Sequence, residues 1–228
     1  MKRIDLIIPT RNRAEKLKRT LATIPATAAG GTASIYITVV CDADPATAKV
    51  LIEDPRIARV LFVREHSGSV FCRDLVTQAA EDALIYGTDD VTFYPGAFDA
   101  AVKAMAEHFP DEDGVVGFTQ LGLGSYSPTA CALVGQPFLR RYPNRKLFYP
   151  GYFHFSCQEI DAHASTIGRI WLEPGAKLLH YHPGHNGDEA DRTHTEGRIF
   201  REQDRALSMS RKAAGQIWGL TDLKDPGR

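Results

Sequence analysis

The amino-acid sequence predicts an α/β protein in which helices flank a mostly parallel sheet. Two observations support this prediction. Short β-branched apolar runs alternate with segments of helical periodicity through the first half of the chain, and polar residues follow the predicted strand ends. Because a helix that connects two parallel strands packs back onto their sheet, such alternation covers both sheet faces. The first half therefore resembles a doubly wound nucleotide-binding unit.

The predicted strands are short apolar runs bounded by turn residues. They lie at residues 4–8, 34–40, 59–63, 91–93, 115–118, 129–134 and 176–181. The run at residues 4–8 ends at Pro9, and the one at residues 34–40 follows the Gly30-Gly31 pair, so both have clear boundaries.

The predicted helices show apolar residues every three or four positions. They lie at residues 14–24, 45–53, 70–85, 97–109, 158–167 and 192–212. In the first, Leu17, Leu21 and Ile24 share one face. The second opens with Pro45, which is favourable in a first helical turn. The last is largely polar.

Composition excludes several classes of protein. The chain has 228 residues, 27 Lys and Arg against 28 Asp and Glu, and 43% hydrophobic residues, enough for a sizeable core without metal or disulfide support. A net charge of -1 disfavours a dedicated polyanion binder. The four widely spaced cysteines indicate reduced thiols. Since no apolar run is long enough for a membrane span or a signal peptide, we expect a cytoplasmic protein.

Polar residues follow three of the predicted strands, where open parallel sheets bind ligands. They are residues 9–13 (PTRNR), residues 41–44 (CDAD) and residues 88–90 (TDD). Asn12 and Thr10 could cap the following helix or bind a ligand. Asp44, which precedes Pro45, is predicted to be an N-cap. Asp42 has no such structural role in the sequence and is a ligand candidate.

Asp89 and Asp90 are the strongest indication of a binding site in the sequence. Adjacent carboxylates at the end of a buried strand repel each other and lose solvation, unless a cation or a donor compensates them. Mg²⁺ and Mn²⁺ suit such hard oxygen ligands, with waters and substrate phosphates completing the coordination shell. A solvated acidic turn is the alternative.

Together these residues resemble glycosyltransferase family 2 on a GT-A fold. The resemblance rests on residues 9–13, residues 39–42 (VVCD), Arg73-Asp74 on a helix, and residues 88–90 ahead of Pro95-Gly96, and it covers residues 4–185. It implies a Rossmann-like, mostly parallel mixed sheet in one domain over residues 1–190. A nucleotide-sugar-binding half (1–120) and an acceptor-side half (121–190) would precede a C-terminal helical extension (191–228).

By this resemblance the donor substrate is a nucleotide-diphosphate sugar. The residues that would bind it are Pro9, Thr10, Arg11, Asn12, Asp42, Arg73 and Asp89. Within this set, Asp42 would contact the base or ribose and Asp89 the ribose. Asp90 would hold a divalent metal, Mn²⁺ or Mg²⁺, together with the diphosphate.

The resemblance also implies inverting transfer to an acceptor with a free hydroxyl. The acidic segment at residues 158–161 (QEID) would supply the base, either Glu159 or Asp161. His180 or His182 would be a further metal ligand, and a histidine ligand favours Mn²⁺. Residues 184–195, with His185 and His194, would form a loop that closes over the substrate.

Three other functions compete with this one. A sugar nucleotidyltransferase uses a related sheet but binds a triphosphate with a glycine-rich loop. Residues 9–13 contain no glycine, which argues against this function. A nucleotide-sugar-binding protein without activity is suggested by Thr88 and Asp74, where the family prefers Asp and Asn. A hydroxymethylated DNA base is an alternative acceptor, since residues 140–148 combine Arg and Lys with Tyr142 and Phe148.

Overall fold

The computed structural model describes residues 1–51, 53–122, 127–154, 157–182 and 190–224. In the first half, strands and helices alternate over most of its length. The elements are β1 (Arg3–Thr10), α1 (Ala14–Leu21), β2 (Thr27–Ala28), β3 (Ala33–Asp42), α2 (Pro45–Leu51), β4 (Ile57–Val63), α3 (Gly68–Thr77), β5 (Ala83–Tyr86), β6 (Val91–Phe93) and α4 (Ala97–His108).

The second half completes the sheet and adds a long helix. Its elements are β7 (Val115–Leu121), β8 (Ala132–Gly135), α5 (Gln136–Leu139), a 3₁₀ turn (Pro143–Arg145), α6 (Cys157–Thr166), β9 (Ile170–His180) and α7 (Arg192–Ala213). The predicted polar helix at residues 192–212 corresponds to α7.

The strands form one mixed sheet among the described residues. Its order is β2–β3–β1–β5–β8–β7–β9–β6, and β4 pairs with β3 beside β2. The strands β4, β3, β1 and β5 run parallel, so their carboxyl ends lie at one edge. The pairs β5–β8, β7–β8 and β6–β9 are antiparallel, whereas β7 and β9 are parallel.

Two apolar clusters fill the two faces of the sheet. Strand β1 shows why: Ile4, Leu6 and Ile8 point into the cluster that includes α1 and α4, whereas Ile7 points into the other. That other cluster includes α3, α5, α6 and Trp218, which is completely buried. The buried face of each helix thus matches one face of the sheet.

The helix predicted at residues 70–85 is wrong in its second half. Helix α3 ends at Thr77, and Ala83–Tyr86 form the central strand β5 between β1 and β8. All four residues of β5 are buried. Because a strand covered on both faces has a continuous apolar run, it lacks the alternation that identifies half-exposed strands.

The aromatic rings of the segment at residues 140–148 do not lie at the surface, contrary to the prediction. The rings of Tyr142 and Phe148 lie in the core, so they cannot stack on bases. Arg141 pairs with Asp113, and Arg145 donates to the carbonyl oxygen of Gln78. The two rings on which the prediction of a DNA acceptor depended, Tyr142 and Phe148, are therefore not available to bind bases.

Helix α7 is anchored at its C-terminal end by a buried ion pair. Nε and Nη2 of Arg211 donate to the two carboxylate oxygens of Glu159 on α6, at 2.6 and 2.8 Å. The same carboxylate accepts from the Tyr152 hydroxyl and the Trp218 backbone N–H, both at 2.6 Å. These four bonds tie α7 and residue 218 to α6.

The cysteines and the helices agree with the sequence-based expectations. All four cysteines are free. No helix in the described ranges has the length and apolar character needed to cross a bilayer.

We predict that Arg211→Met lowers the free energy of unfolding by about 3 kcal/mol or more, because it leaves the buried Glu159 carboxylate without its counter-charge. Urea unfolding followed by circular dichroism measures the change. Arg205→Met, at an exposed position of the same helix, is the control and should unfold like the wild type. Equal stability of the two variants would show that the ion pair does not anchor α7.

Candidate functional site

A cavity of about 480 Å³ lies at the carboxyl ends of the parallel strands. The structure brings most of the predicted site residues to it. Those that line it are Pro9, Thr10, Arg11, Asp42, Arg73, Asp89, Asp90, His180 and His182. Asn12, Glu159 and Asp161 do not line it.

Asp89 and Asp90 lie in the turn between β5 and β6, and both are buried. Nη1 of Arg13 donates to Asp89 Oδ1 at 3.1 Å and to Asp90 Oδ2 at 3.2 Å. The Thr10 hydroxyl donates to Asp89 Oδ2 at 2.8 Å. One guanidinium therefore bridges the two carboxylates that the sequence identified as needing a cation.

The two carboxylates have opposite pKa shifts. Burial raises the pKa of Asp89 to about 6, and the charge of Asp90 adds to the rise. Burial also acts to raise the pKa of Asp90, but the bond with His180 and the charge of Arg13 outweigh it and hold this pKa below its usual range. Asp90 therefore keeps its negative charge to a lower pH than Asp89 does.

His180 is held in one orientation beside Asp90. Its Nδ1 lies 3.2 Å from Gln120 Oε1, and its Nε2 lies 3.1 Å from Asp90 Oδ1. A proton on Nε2 bonds Asp90, whereas a proton on Nδ1 bonds Gln120 and leaves the Nε2 lone pair available to a metal ion. The ring of His182 lies 5.6 Å from that of His180, centroid to centroid.

Asp42 occupies the end of β3 and accepts hydrogen bonds from three groups. The backbone N–H groups of Ser67 and Gly68 donate to it at 2.8 and 3.0 Å, where α3 begins. Nδ1 of His66 lies 2.7 Å from Asp42 Oδ2, and His66 itself lines the cavity. The carboxylate thus fixes both the start of α3 and the ring of His66.

Arg73 and Asp74 point in different directions from α3. Arg73 lines the cavity and donates to the carbonyl oxygen of Gly87 at 3.1 Å; burial lowers its pKa. Asp74 is buried and faces the backbone N–H of Phe148, and burial raises its pKa well above the usual range. Asp74 is therefore placed to order the chain near Phe148.

The loop after β1 explains why Asn12 is absent from the cavity. Asn12 has a left-handed backbone, with φ of 54°, and its N–H donates to Asp44 Oδ2 at 2.7 Å. Asp44 Oδ1 accepts from the Thr47 N–H at the start of α2, so the predicted N-cap is confirmed. Asn12 acts here as a turn residue, which its tolerance of positive φ allows.

Neither predicted base lines the cavity. The four hydrogen bonds to Glu159, two of them from Arg211, engage both of its oxygens. Asp161 accepts from the Ser127 hydroxyl and, at 3.0 Å, from the Thr129 N–H. Burial raises the pKa of Asp161.

The start of α7 forms one wall of the cavity, and residues 184–189 of the predicted closing loop lie outside the described residues. Asp191 and His194 form a capping box at the helix N-terminus, and Arg13 donates to both carboxylate oxygens of Asp191 at 2.8 and 3.0 Å. Thr193, His194 and Arg201 line the cavity. His185 lies outside the described residues.

Several cavity residues carried no decisive signal in the sequence. Arg13 was visible as part of residues 9–13, but a second arginine in a loop does not show which carboxylates it meets. His66 follows a predicted strand by three residues and could have been suspected on that ground. Arg201 sits in a polar helix among other charged residues, where position alone cannot distinguish it.

No protein-family model matches the sequence, and no curated protein matches it either. Several solved structures are similar in fold. The mannosyltransferase PcManGT from Pyrobaculum calidifontis, in complex with GDP-Man and Mn²⁺, has a TM-score of 0.64 at 15% identity, over 98% of this chain and 65% of that chain. TarS 1-349 from S. aureus, in complex with UDP-GlcNAc, has a TM-score of 0.61 at 17% identity, over 84% and 60%.

A third similar structure is GalNAc-T7 with UDP, GalNAc and Mn²⁺. Its TM-score is 0.63 at 12% identity, over 83% of this chain and 46% of that chain. This chain thus spans less than two thirds of the length of each of these three structures. At such identities the likeness concerns the fold. The chain has the Rossmann-like GT-A fold of these glycosyltransferases.

Proposed function

We propose that this protein transfers a glycosyl group from a nucleotide-diphosphate sugar to an acceptor hydroxyl. The observation that carries the proposal is the buried Asp89–Asp90 pair beneath a cavity lined by arginines, at the carboxyl ends of parallel strands. Similar folds have been solved with GDP-Man, with UDP-GlcNAc, and with UDP and GalNAc, which supports this class of donor.

The residues beside Asp90 fit a divalent metal. Asp90 Oδ1 is buried and makes no well-formed hydrogen bond within the described ranges, and His180 Nε2 faces it. Their 3.1 Å separation suits adjacent ligands of an ion with bonds of about 2.1 Å. In the described part of the chain no three His, Cys, Asp or Glu residues group as metal ligands, so Asp90 and His180 would share the ion with diphosphate and water.

A bound metal would supply positive charge where the leaving diphosphate gains negative charge. The chain's own residues prepare that position. Gln120 orients the His180 ring, and Thr10 and Arg13 hold Asp89 beside Asp90. Arg73, fixed by the Gly87 carbonyl, adds a buried positive charge to the cavity wall. Because these groups are already ordered, little reorganisation is needed when the diphosphate leaves.

Direct displacement with inversion stays a prediction, and it requires a base near the acceptor. Glu159 is engaged by Arg211, which makes it a poor proton acceptor. Asp161 forms no ion pair with any described residue, and burial raises its pKa toward the range useful to a base. We therefore favour Asp161 over Glu159 for this role.

We predict that the donor carries uracil or guanine. His66 lines the cavity, and if its Nδ1 proton bonds the Asp42 carboxylate, the neutral ring has its acceptor lone pair on Nε2. Uracil and guanine present a ring N–H donor, whereas cytosine and adenine present an acceptor there. Calorimetry with UDP, GDP, CDP and ADP measures the preference. His66→Phe should reduce it, and tighter binding of CDP or ADP to the wild type would contradict it.

We predict that Asp90→Ala abolishes metal-dependent transfer, with a loss of more than about 100-fold in rate. Transfer from nucleotide sugars is measured with Mn²⁺ against an array of acceptor sugars and alcohols. Mn²⁺ binding is followed separately by electron paramagnetic resonance and should weaken in the variant. Glu107→Gln, at an exposed site on α4, is the control.

Two assays separate the competing functions: transfer from nucleotide sugars, and nucleotidyl transfer from a nucleoside triphosphate. Release of free sugar or of a glycosylated acceptor supports the transferase, whereas pyrophosphate release from a nucleoside triphosphate and a sugar phosphate supports a nucleotidyltransferase. Nucleotide-sugar binding without turnover under any condition would indicate a binding protein and contradict the proposal.

A further inference from the structure

The arginines of the cavity differ in how their charge is compensated. Arg11 pairs with Glu196 and also donates to the carbonyl oxygen of Asp42. Arg13 pairs with Asp89, Asp90 and Asp191. Each of these two guanidiniums thus has a carboxylate within 3.2 Å.

Arg201 has no such compensation. This half-buried residue of α7 lines the cavity, and it forms no ion pair within the described part of the chain. The carboxylate one turn further along the helix, Asp204, accepts instead from the backbone N–H groups of Phe153 and His154, at 2.6–3.1 Å. Nothing on the helix therefore neutralises Arg201.

The Arg201 guanidinium is directed back toward the start of α7. Its Nη2 would lie 3.6 Å from a Cβ built on Gly197, one turn earlier. Helical side chains lean in this direction, which carries the guanidinium toward the first turn of α7 and Arg13. Burial lowers the pKa of Arg201, and the charges of Arg13 and Arg198 lower it further. A cation desolvated beside other cations is stabilised by an anion that binds between them.

We propose that Arg201 binds the phosphate groups of the substrate, so that α7 forms part of the donor site. This inference rests on the proposed function for the identity of the anion, a nucleotide diphosphate, and otherwise on the charge arrangement alone. Arginine suits the role because its planar donors match phosphate oxygens in pairs. The phosphates would lie between Arg201 and Arg13, above the Asp89–Asp90 turn.

The test measures binding of inorganic pyrophosphate to the full chain by calorimetry, without divalent metal. We expect Arg201→Gln to weaken binding about tenfold or more, because a charge-assisted hydrogen bond is lost. Arg201→Lys should recover part of the affinity. Arg205→Gln removes an exposed positive charge one turn away on the same helix and should bind like the wild type. Since Arg201 forms no ion pair with any residue that the structure describes, its substitution should leave the free energy of unfolding unchanged or higher.

Each outcome decides the inference. A selective loss in Arg201→Gln supports it. Absence of pyrophosphate binding in the wild type, equal binding by wild type and Arg201→Gln, or an equal loss in Arg201→Gln and Arg205→Gln would overturn it. The result is independent of the transferase assay, because pyrophosphate can bind at Arg201 even if no sugar is transferred, and sugar can be transferred without Arg201.

Discussion

The arrangement of the site depends on the compensation of two adjacent buried carboxylates. Asp89 and Asp90 cannot both be ionised in a desolvated turn unless positive charge lies beside them. Arg13 supplies that charge to both, and His180 supplies a second contact to Asp90 alone. The asymmetry explains why the pKa of Asp89 rises to about 6 while that of Asp90 falls.

The compensation of these two carboxylates also connects distant parts of the chain. Arg13 reaches the carboxylates from the loop after β1. The Nε and Nη2 edge of its guanidinium donates to Asp191 at the start of α7. Thr193 donates to the Arg11 carbonyl oxygen, and Glu196 pairs with the Arg11 side chain. The loop that faces the carboxylates and the helix that covers the cavity are therefore ordered together.

Polar contacts hold α7 in place together with apolar packing, in which the Phe200 ring stacks on that of Phe153 and Leu207 packs against the core. The polar contacts occur near its start with Arg11 and Arg13, in its middle through Asp204, and at its end through Arg211. Its apolar residues Ile199 and Met209 remain 67% exposed. Since the polar contacts involve single atoms at defined distances, they fix the position of the helix along the cavity more specifically than an apolar stripe would.

The sequence predicted the features of this site that depend on local rules. Polar residues at the carboxyl ends of parallel strands converge because of sheet topology, and Asp44 caps α2 because of its position before Pro45. The short strand β5 was missed because its four buried residues have no polar alternation. Tyr142 and Phe148 were misread as surface rings because neighbouring arginines suggested exposure.

The role of Glu159 shows where sequence reasoning reaches its limit. An acidic residue in the first turn of a helix suits both a base and a structural ion pair, and only the partner decides between them. That partner, Arg211, lies 52 residues later in a helix whose own pattern predicts nothing about α6. The four donors around Glu159 engage both of its carboxylate oxygens, so the tertiary contacts favour the structural role over that of a base.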